Sequence, residues 1–413
     1  MALPTEKAAR YDRQLRLWGD HGQTALESAH VCLINASATG TETLKNLVLA
    51  GVGSFTIVDS KQVSATDLGS NFFVLPSAVE SSRCRCACTL LQELNPDVRG
   101  SAIEDSVDTI LANSPDLFST YTTVIATELP DATLQLLAKV LRSLSVPLIV
   151  VASYGLIGFH QKCKSCSDDP ACLHLTPESS NFWVLVRALK EFVINDSRGK
   201  LPLRGSIPDM NSFSDLYVGL QKVYQTQARL DMEAVATHLS ALLIGMGKSP
   251  GTVPMESVKQ FCRNSAFLRV VRYRSLADEH CKPNLSEHLW RLENPDSELA
   301  YYILLRAADQ FYSMYKFYPR GGDKGTSMDS DVGVMKTIVS NLLNSWELPP
   351  SILRDDCIVE FCRYGGAELH SVAAFMGGVA SQEIVKILTH QFVPLNNTLI
   401  YSAMTCTALT VAL

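Results

Sequence analysis

Apolar residues in the first 160 positions alternate between short runs and helical stripes. Val31–Ile34 is a continuous apolar run of the kind a buried parallel strand shows. In Thr41–Leu49, Leu44, Leu47 and Val48 stand at i, i+3 and i+4, which predicts a helix with one apolar face. Ser54–Val58 is a second strand pattern, with Asp59 at its carboxyl end. Ala78–Leu94 reads as a helix, Thr122–Ala126 as a strand, Ala132–Leu144 as a helix and Pro147–Ala152 as a strand. Strands alternating with helices predict a parallel sheet with right-handed crossovers.

The pattern then changes. Lys162–Ser180 is rich in Cys, Ser, Asp and Pro and reads as a loop. From Phe182 to about Trp346 strand patterns vanish. Phe182–Leu185 with Ala188, Leu189 and Phe192 make one apolar helical face, and Leu216–Leu243, Leu285–Phe317 and Asp331–Trp346 also read as helical. Val372–Leu388 is a further helix, followed by strand patterns at Thr398–Ser402 and Thr407–Leu413. Gly377-Gly378 inside that helix costs about 1 kcal/mol per residue relative to alanine, which predicts close approach of a neighbouring backbone. The expected organisation is one discontinuous α/β domain (1–160 and 363–413), an irregular loop (161–181) and a helical insertion (182–362).

The formal charge of −6, from 36 basic and 42 acidic side chains, argues against general affinity for nucleic acid. The opening MALPTEKAARYDRQ has no apolar core. The longest uncharged apolar stretch, Ser145–Phe159, is interrupted by Pro147. Neither suits a secretory leader or a bilayer span, so a cytosolic or nuclear chain without membrane contact is expected. Its 12 cysteines are then free thiols, and Cys84, Cys86 and Cys88 read as small, partly buried residues of a helix. Cys163, Cys166, Cys172 and His174 have zinc-ligand spacing, but no second Cys-x2-Cys knuckle follows them.

Residues 31–59 form a strand–turn–helix–strand unit, the opening of a doubly wound sheet. Such a turn carries Gly-x-Gly-x-x-Gly so that backbone can close on a phosphate at the helix N-terminus. Here it reads Asn35-Ala36-Ser37-Ala38-Thr39-Gly40, and only Gly40 remains. A dinucleotide-dependent oxidoreductase shares this opening, but side chains now stand where pyrophosphate must approach.

Several segments in order carry a wider resemblance: Tyr11–Gly19 (YDRQLRLWG), the 31–59 unit, Asp67–Phe73 (DLGSNFF), Leu91–Asn95 (LQELN), Phe182–Phe192, Ile207–Met210, Asn264–Val271 and Glu360–Lys386. Through them the chain resembles the ubiquitin-activating enzyme superfamily. The resemblance is closest to the regulatory subunits of heterodimeric enzymes that activate the ubiquitin-like modifier Rub/Nedd. It implies a Rossmann-like, ThiF-type pseudo-adenylation domain with a largely helical insertion. A catalytic partner subunit would bind ATP and magnesium, adenylate the modifier and carry the catalytic cysteine. This chain would bind no cofactor alone.

Position by position, the superfamily's Gly-x-Gly-Gly-x-Gly falls on Asn35, Ser37, Ala38 and Gly40. Its Asp-x-Asp becomes Asp59-Ser60-Lys61, with a cation where a magnesium-facing acid is wanted. Its Ser-Asn-Leu-Asn-Arg-Gln becomes Ser70–Leu75 and loses the arginine. Its lysine falls on Arg83, and a later aspartate position reads Glu128-Leu129-Pro130. One residue keeps an implied role, Arg13, reaching in trans into the partner's ATP site; helical spacing sets it apart from Tyr11, Leu15 and Trp18. No catalytic thiol is expected. Cys262 and Cys281 lack the nucleophile's Pro-x-Cys-Thr setting, and Thr405-Cys406-Thr407 begins a strand.

The chain also departs from the family. After His160 it passes almost directly to Lys162-Cys163, where the family continues into a small domain's worth of residues, and the likeness resumes near Phe182. A deletion of that size leaves a second reading open, an inert or dominant-negative form that binds the partner without supporting transfer.

Overall fold

A computed structural model describes residues 9–163, 181–197, 199–204, 215–267, 274–292, 294, 297–320 and 327–413. The chain divides into two compact units, Met1–Ser165 with Arg272–Leu413, and Cys166–Val271.

The larger unit is built on an eight-stranded sheet. In chain order its strands are β1 (His30–Ile34), β2 (Ser54–Val58), β3 (Arg99–Ile103), β4 (Thr123–Ala126), β5 (Leu148–Tyr154), β6 (Ile157–Cys163), β7 (Thr398–Ser402) and β8 (Thr407–Val411). Their spatial order is β3-β2-β1-β4-β5-β6-β7-β8. The first five run parallel. The last three pair antiparallel, so residues around 400 complete a sheet begun at residue 30. β6 runs on to Cys163, into the stretch read as a loop, and the strand that leaves no apolar pattern in the sequence is β3. Its RGSAI has no apolar run and lies half-exposed at the sheet edge.

Alternation along the strands sends side chains to two cores. Val31 and Leu33 of β1, Ile125 of β4, and Ile149 and Val151 of β5 face one layer. That layer comprises α1 (Asp12–Glu27), α2 (Ala38–Leu49), α3 (Arg83–Glu93) and α14 (His370–Thr389). Cys32, Ile34, Val124, Leu148 and Val150 face the other. There lie α4 (Val107–Asn113), α5 (Asp131–Ser143), α11 (Glu298–Tyr315), α12 (Met328–Ser345) and α13 (Asp355–Arg363).

This corrects the expected boundary of the insertion. The helices of 272–362 share a core with the sheet through Leu299, Tyr302, Ile303, Phe311, Met335 and Phe361. A parallel sheet needs both faces covered, and α4 and α5 are too short to cover this one without them. The expected helix 285–317 is also broken, into Leu289–Leu292 (α10) and α11, whose first turn is capped by Ser297 Oγ.

α14 is long and apolar enough by composition to cross a bilayer, yet 67% of its most apolar stretch is buried inside the protein. It packs on α2 and α1. A Cβ on Gly377 would meet the Glu42 backbone carbon and the Thr43 nitrogen at 2.9 Å, whereas nothing lies within 4 Å of one on Gly378. The close approach expected of the glycine pair therefore belongs to Gly377 alone.

The smaller unit packs α6 (Asn181–Asn195), α7 (Asp215–Gly245) and α8 (Met255–Asn264) around Val184, Leu185, Leu189 and Phe192 with Val235, Leu239, Val258 and Cys262.

Candidate functional site

The β1–α2 turn is held by its own side chains. Asn35 takes a left-handed φ of 63°, which asparagine tolerates, and its Nδ2 donates to the Thr127 carbonyl at 2.9 Å and the Glu128 carbonyl at 3.2 Å. Ser37 caps α2, its Oγ accepting from Gly40 N at 3.1 Å. Gly40 survives for a packing reason. A Cβ there would meet Leu33 Cδ1 at 2.8 Å, and the last glycine of such a turn allows this close helix–strand contact. The glycines that would admit a phosphate are the ones replaced.

The donors that a phosphate would use are already engaged. Ala36 N donates to Asp59 Oδ2 at 2.9 Å. Ala38 N donates to Glu368 Oε2 at 2.8 Å, and Thr39 N to Glu368 Oε1 at 3.3 Å. The hydroxyls of Thr39 and Ser153 donate to the same Oε1 at 2.6 and 3.0 Å. The orphan N–H groups and positive dipole end of α2 are thus met by a carboxylate of the chain itself.

The cations are engaged too. Arg83 is buried, with Nε on Asp59 Oδ2 at 2.6 Å, one terminal nitrogen on Asp67 Oδ1 at 3.2 Å and the other on Glu128 Oε2 at 3.0 Å. Lys61 Nζ also reaches Glu128 Oε2, at 2.9 Å. Burial works against the charge on Arg83, but Glu128, Asp59 and Asp67 outweigh it and raise its pKa. Burial likewise opposes ionisation of Glu128, yet Arg83 and Lys61 hold its pKa below the ordinary value. Burial, then the Glu128 charge, pushes Glu368 up.

Asp59, Asp67, Glu128 and Glu368 therefore outnumber Lys61 and Arg83. A nucleotide's phosphates would add like charge to a cluster already acidic. The cleft beside it, lined by Ser37, Lys61, Glu128, Ser153 and Glu368 among others, holds about 250 Å³, below the range of about 300–1,000 Å³ usual for ligand pockets.

Asn71 and Phe72 stand in the segment that lost its arginine. Asn71 Nδ2 donates to the Ala36 carbonyl at 2.9 Å, and its Oδ1 accepts from Thr41 Oγ1 at 3.1 Å, bracing the turn. Phe72 is exposed and stacks on His370 with ring centroids 3.7 Å apart.

Arg13 lies in the first turns of α1, which kinks at Gly19. The helix is fixed by its apolar side. Tyr11 is buried and its hydroxyl accepts from Asn95 Nδ2 at 2.9 Å, while Gly51, at φ 84°, leaves that hydroxyl room. Trp18 is buried, with Nε1 on Gln23 Oε1 at 3.1 Å and its carbonyl accepting from Gln391 Nε2 at 2.9 Å. Arg13 is exposed. Asp12 pairs with Arg16 at 3.0 Å, and Arg13 has no ion-pair partner among the described residues.

Cys262 is buried, and burial pushes its thiol up to about 11, away from nucleophilic use at neutral pH. Cys281 and Cys406 are exposed, the latter in the turn before β8. Of the candidate zinc set, Cys163 ends β6, and Cys166, Cys172 and His174 lie outside the described residues. Among the described residues no cluster of three or more His, Cys, Asp or Glu is placed to hold a metal ion. Sequence reasoning missed Glu368. It sits in the matched segment Glu360–Lys386, but no motif marks it, because its α2 partners are some 330 positions away and Ser153 is 215 away.

The chain matches the ThiF family over residues 11–412. It is similar to the NEDD8-activating enzyme E1 regulatory subunit of Gallus gallus, 38% identical over 526 aligned positions covering 98% of each chain. The corresponding subunit of Danio rerio is 38% identical over 528 positions, again with 98% of each chain covered. NEDD8-activating enzyme E1 regulatory subunit AXR1 of Arabidopsis thaliana is 34% identical over 515 positions, covering 97% of this chain and 95% of the relative. These alignments run longer than the 413 residues present, so each relative carries residues with no counterpart here.

Proposed function

We infer function from membership: this chain belongs to the ThiF family and, within it, to the NEDD8-activating enzyme E1 regulatory subunits. We propose that it joins a catalytic subunit and supports ATP-dependent adenylation and thioester formation of the modifier NEDD8, without adenylating anything itself. ATP and magnesium belong to the partner in this reading.

The observation that carries the non-catalytic part is the filled phosphate position. Glu368 takes the α2 N-terminus, and Arg83 and Lys61 are bound to the chain's own carboxylates. The same filling weighs against a dinucleotide, whose pyrophosphate needs that helix end. Arg13 is the residue proposed to act. An exposed guanidinium on a well-anchored helix, with no internal partner among the described residues, suits a cation delivered to phosphates across a subunit boundary.

The test is co-purification with the catalytic subunit, followed by thioester formation on NEDD8. The reading requires a stable complex and a thioester that depends on this chain. A complex that forms but yields no thioester would assign the chain instead to an inert, partner-binding form.

A further inference from the structure

We infer that Glu368 is an intramolecular ligand that keeps the phosphate position of this fold closed. This deepens the non-catalytic reading above. Four donors from two parts of the chain converge on its carboxylate: two backbone N–H groups of α2, the Thr39 hydroxyl beside them and the Ser153 hydroxyl from β5. Two oxygens at one helix N-terminus, each accepting from backbone N–H, match the demand a phosphate makes on the same groups.

The carboxylate is aimed rather than free to wander. The backbone on either side of it is anchored: Gly155 N donates to the Ala367 carbonyl at 2.7 Å, and Gly155 bridges Glu368. Gly365 and Gly366, at φ 57° and 70°, bring the chain against Arg320 and Tyr318 so tightly that a Cβ on either would lie 2.4 Å from those side chains. Beyond Glu368 the chain enters α14 directly at His370. The end of α13, the glycine turn and the start of α14 therefore deliver one side chain to the α2 terminus.

Without that side chain, Ala38 N, Thr39 N and the two hydroxyls would face the cleft of about 250 Å³, which has room for an inorganic phosphate. The closed state is then a property of residue 368 and not of the turn's lost glycines alone.

The test uses the full chain and inorganic phosphate, with chloride of matched ionic strength as the control. Glu368→Ala should gain a phosphate-dependent rise in Tm of about 2 °C or more, and the unmodified chain should show none. Adding Thr39→Ala to the variant should abolish the rise. If Glu368→Ala does not fold by circular dichroism, Glu368→Ser, which also removes the carboxylate, carries the same expectation. Phosphate leaving the folded variant unshifted, stabilising the unmodified chain equally, or acting undiminished on the Thr39→Ala double variant would each overturn the inference. Those outcomes leave the subunit assignment standing, since the latter is read from complex and thioester formation.

Discussion

Arg83 and Asp59 meet at 2.6 Å with side chains 3% and 0% exposed, in the place where a working adenylation fold would handle nucleotide. The arginine also ties Asp67 and Glu128, so one guanidinium joins the β1–α2 turn, the strand ends and the loop after β4. At the positions that the resemblance equates with a nucleotide site, the chain carries a structural ion cluster.

Removing Arg83 leaves three carboxylates without their shared partner. Arg83→Met should cost about 3–5 kcal/mol in denaturant unfolding of the full chain, as expected for breaking a buried ion pair from one side. Arg83→Lys should recover little, because a point charge cannot serve three acceptors in a fork. Lys61→Met should cost less than about 1 kcal/mol, since Lys61 is 52% exposed. Equal costs for the two methionine variants would contradict this division.

The two glycines of α14 should respond oppositely to alanine. At Gly377 the new Cβ meets backbone of α2 that cannot step aside, so Gly377→Ala should destabilise by about 1–3 kcal/mol. At Gly378 the space is open and only helix propensity counts, so Gly378→Ala should gain up to about 1 kcal/mol. Thermal unfolding of the pair checks it, and a stable Gly377→Ala chain would refute the packing described for α14.

Glu279, buried in α9 (Leu276–Cys281), accepts from Gln161 Nε2, from Asn397 Nδ2 at 2.9 Å and from the Tyr302 hydroxyl at 3.5 Å. Burial raises its pKa to about 7, against the pull of Asn397, Arg306, Arg274 and Tyr302. Between its ordinary value of 4.5 and about 7 the folded chain holds a proton that the unfolded chain has released, so stability falls as pH rises through that window and stays low above it. Gln161 Oε1 is buried without a hydrogen bond, and a flipped amide would accept from a neutral residue 279. Glu279→Gln should therefore be tolerated, flatten the pH dependence and stabilise the chain at pH above about 7. An unchanged slope between acid and neutral pH would show that Glu279 does not set it.

Arg13→Ala should leave stability within about 0.5 kcal/mol of the unmodified chain, as for a surface residue without partners. With the catalytic subunit present it should lower NEDD8 adenylation at least tenfold, the scale on which a cation supplied to phosphates acts. A loss of complex, instead of turnover, would make Arg13 an interface residue.

Much of the sheet was legible because most of its strands carry an apolar run, and Ser54–Val58 and Thr398–Ser402 fall where the pattern places them. β3 escaped because an edge strand of Arg, Gly, Ser and Ala buries too little to leave a mark. α11 and α12 were legible as helices but not as members of the sheet's own core, since periodicity says which face is apolar and not what covers it. At the site, the losses at Asn35–Gly40 and Lys61 could be read directly. What replaces them could not, because the contact of Glu368 with the turn, and those of Asp67 and Glu128 with Arg83, exist only in the fold.

Modifier-dependent pyrophosphate exchange bears most directly on the central claim. This chain alone, supplied with NEDD8, ATP and magnesium, should show none, and exchange should appear when the catalytic subunit is added. Exchange by the chain alone would contradict a nucleotide position filled by its own residues.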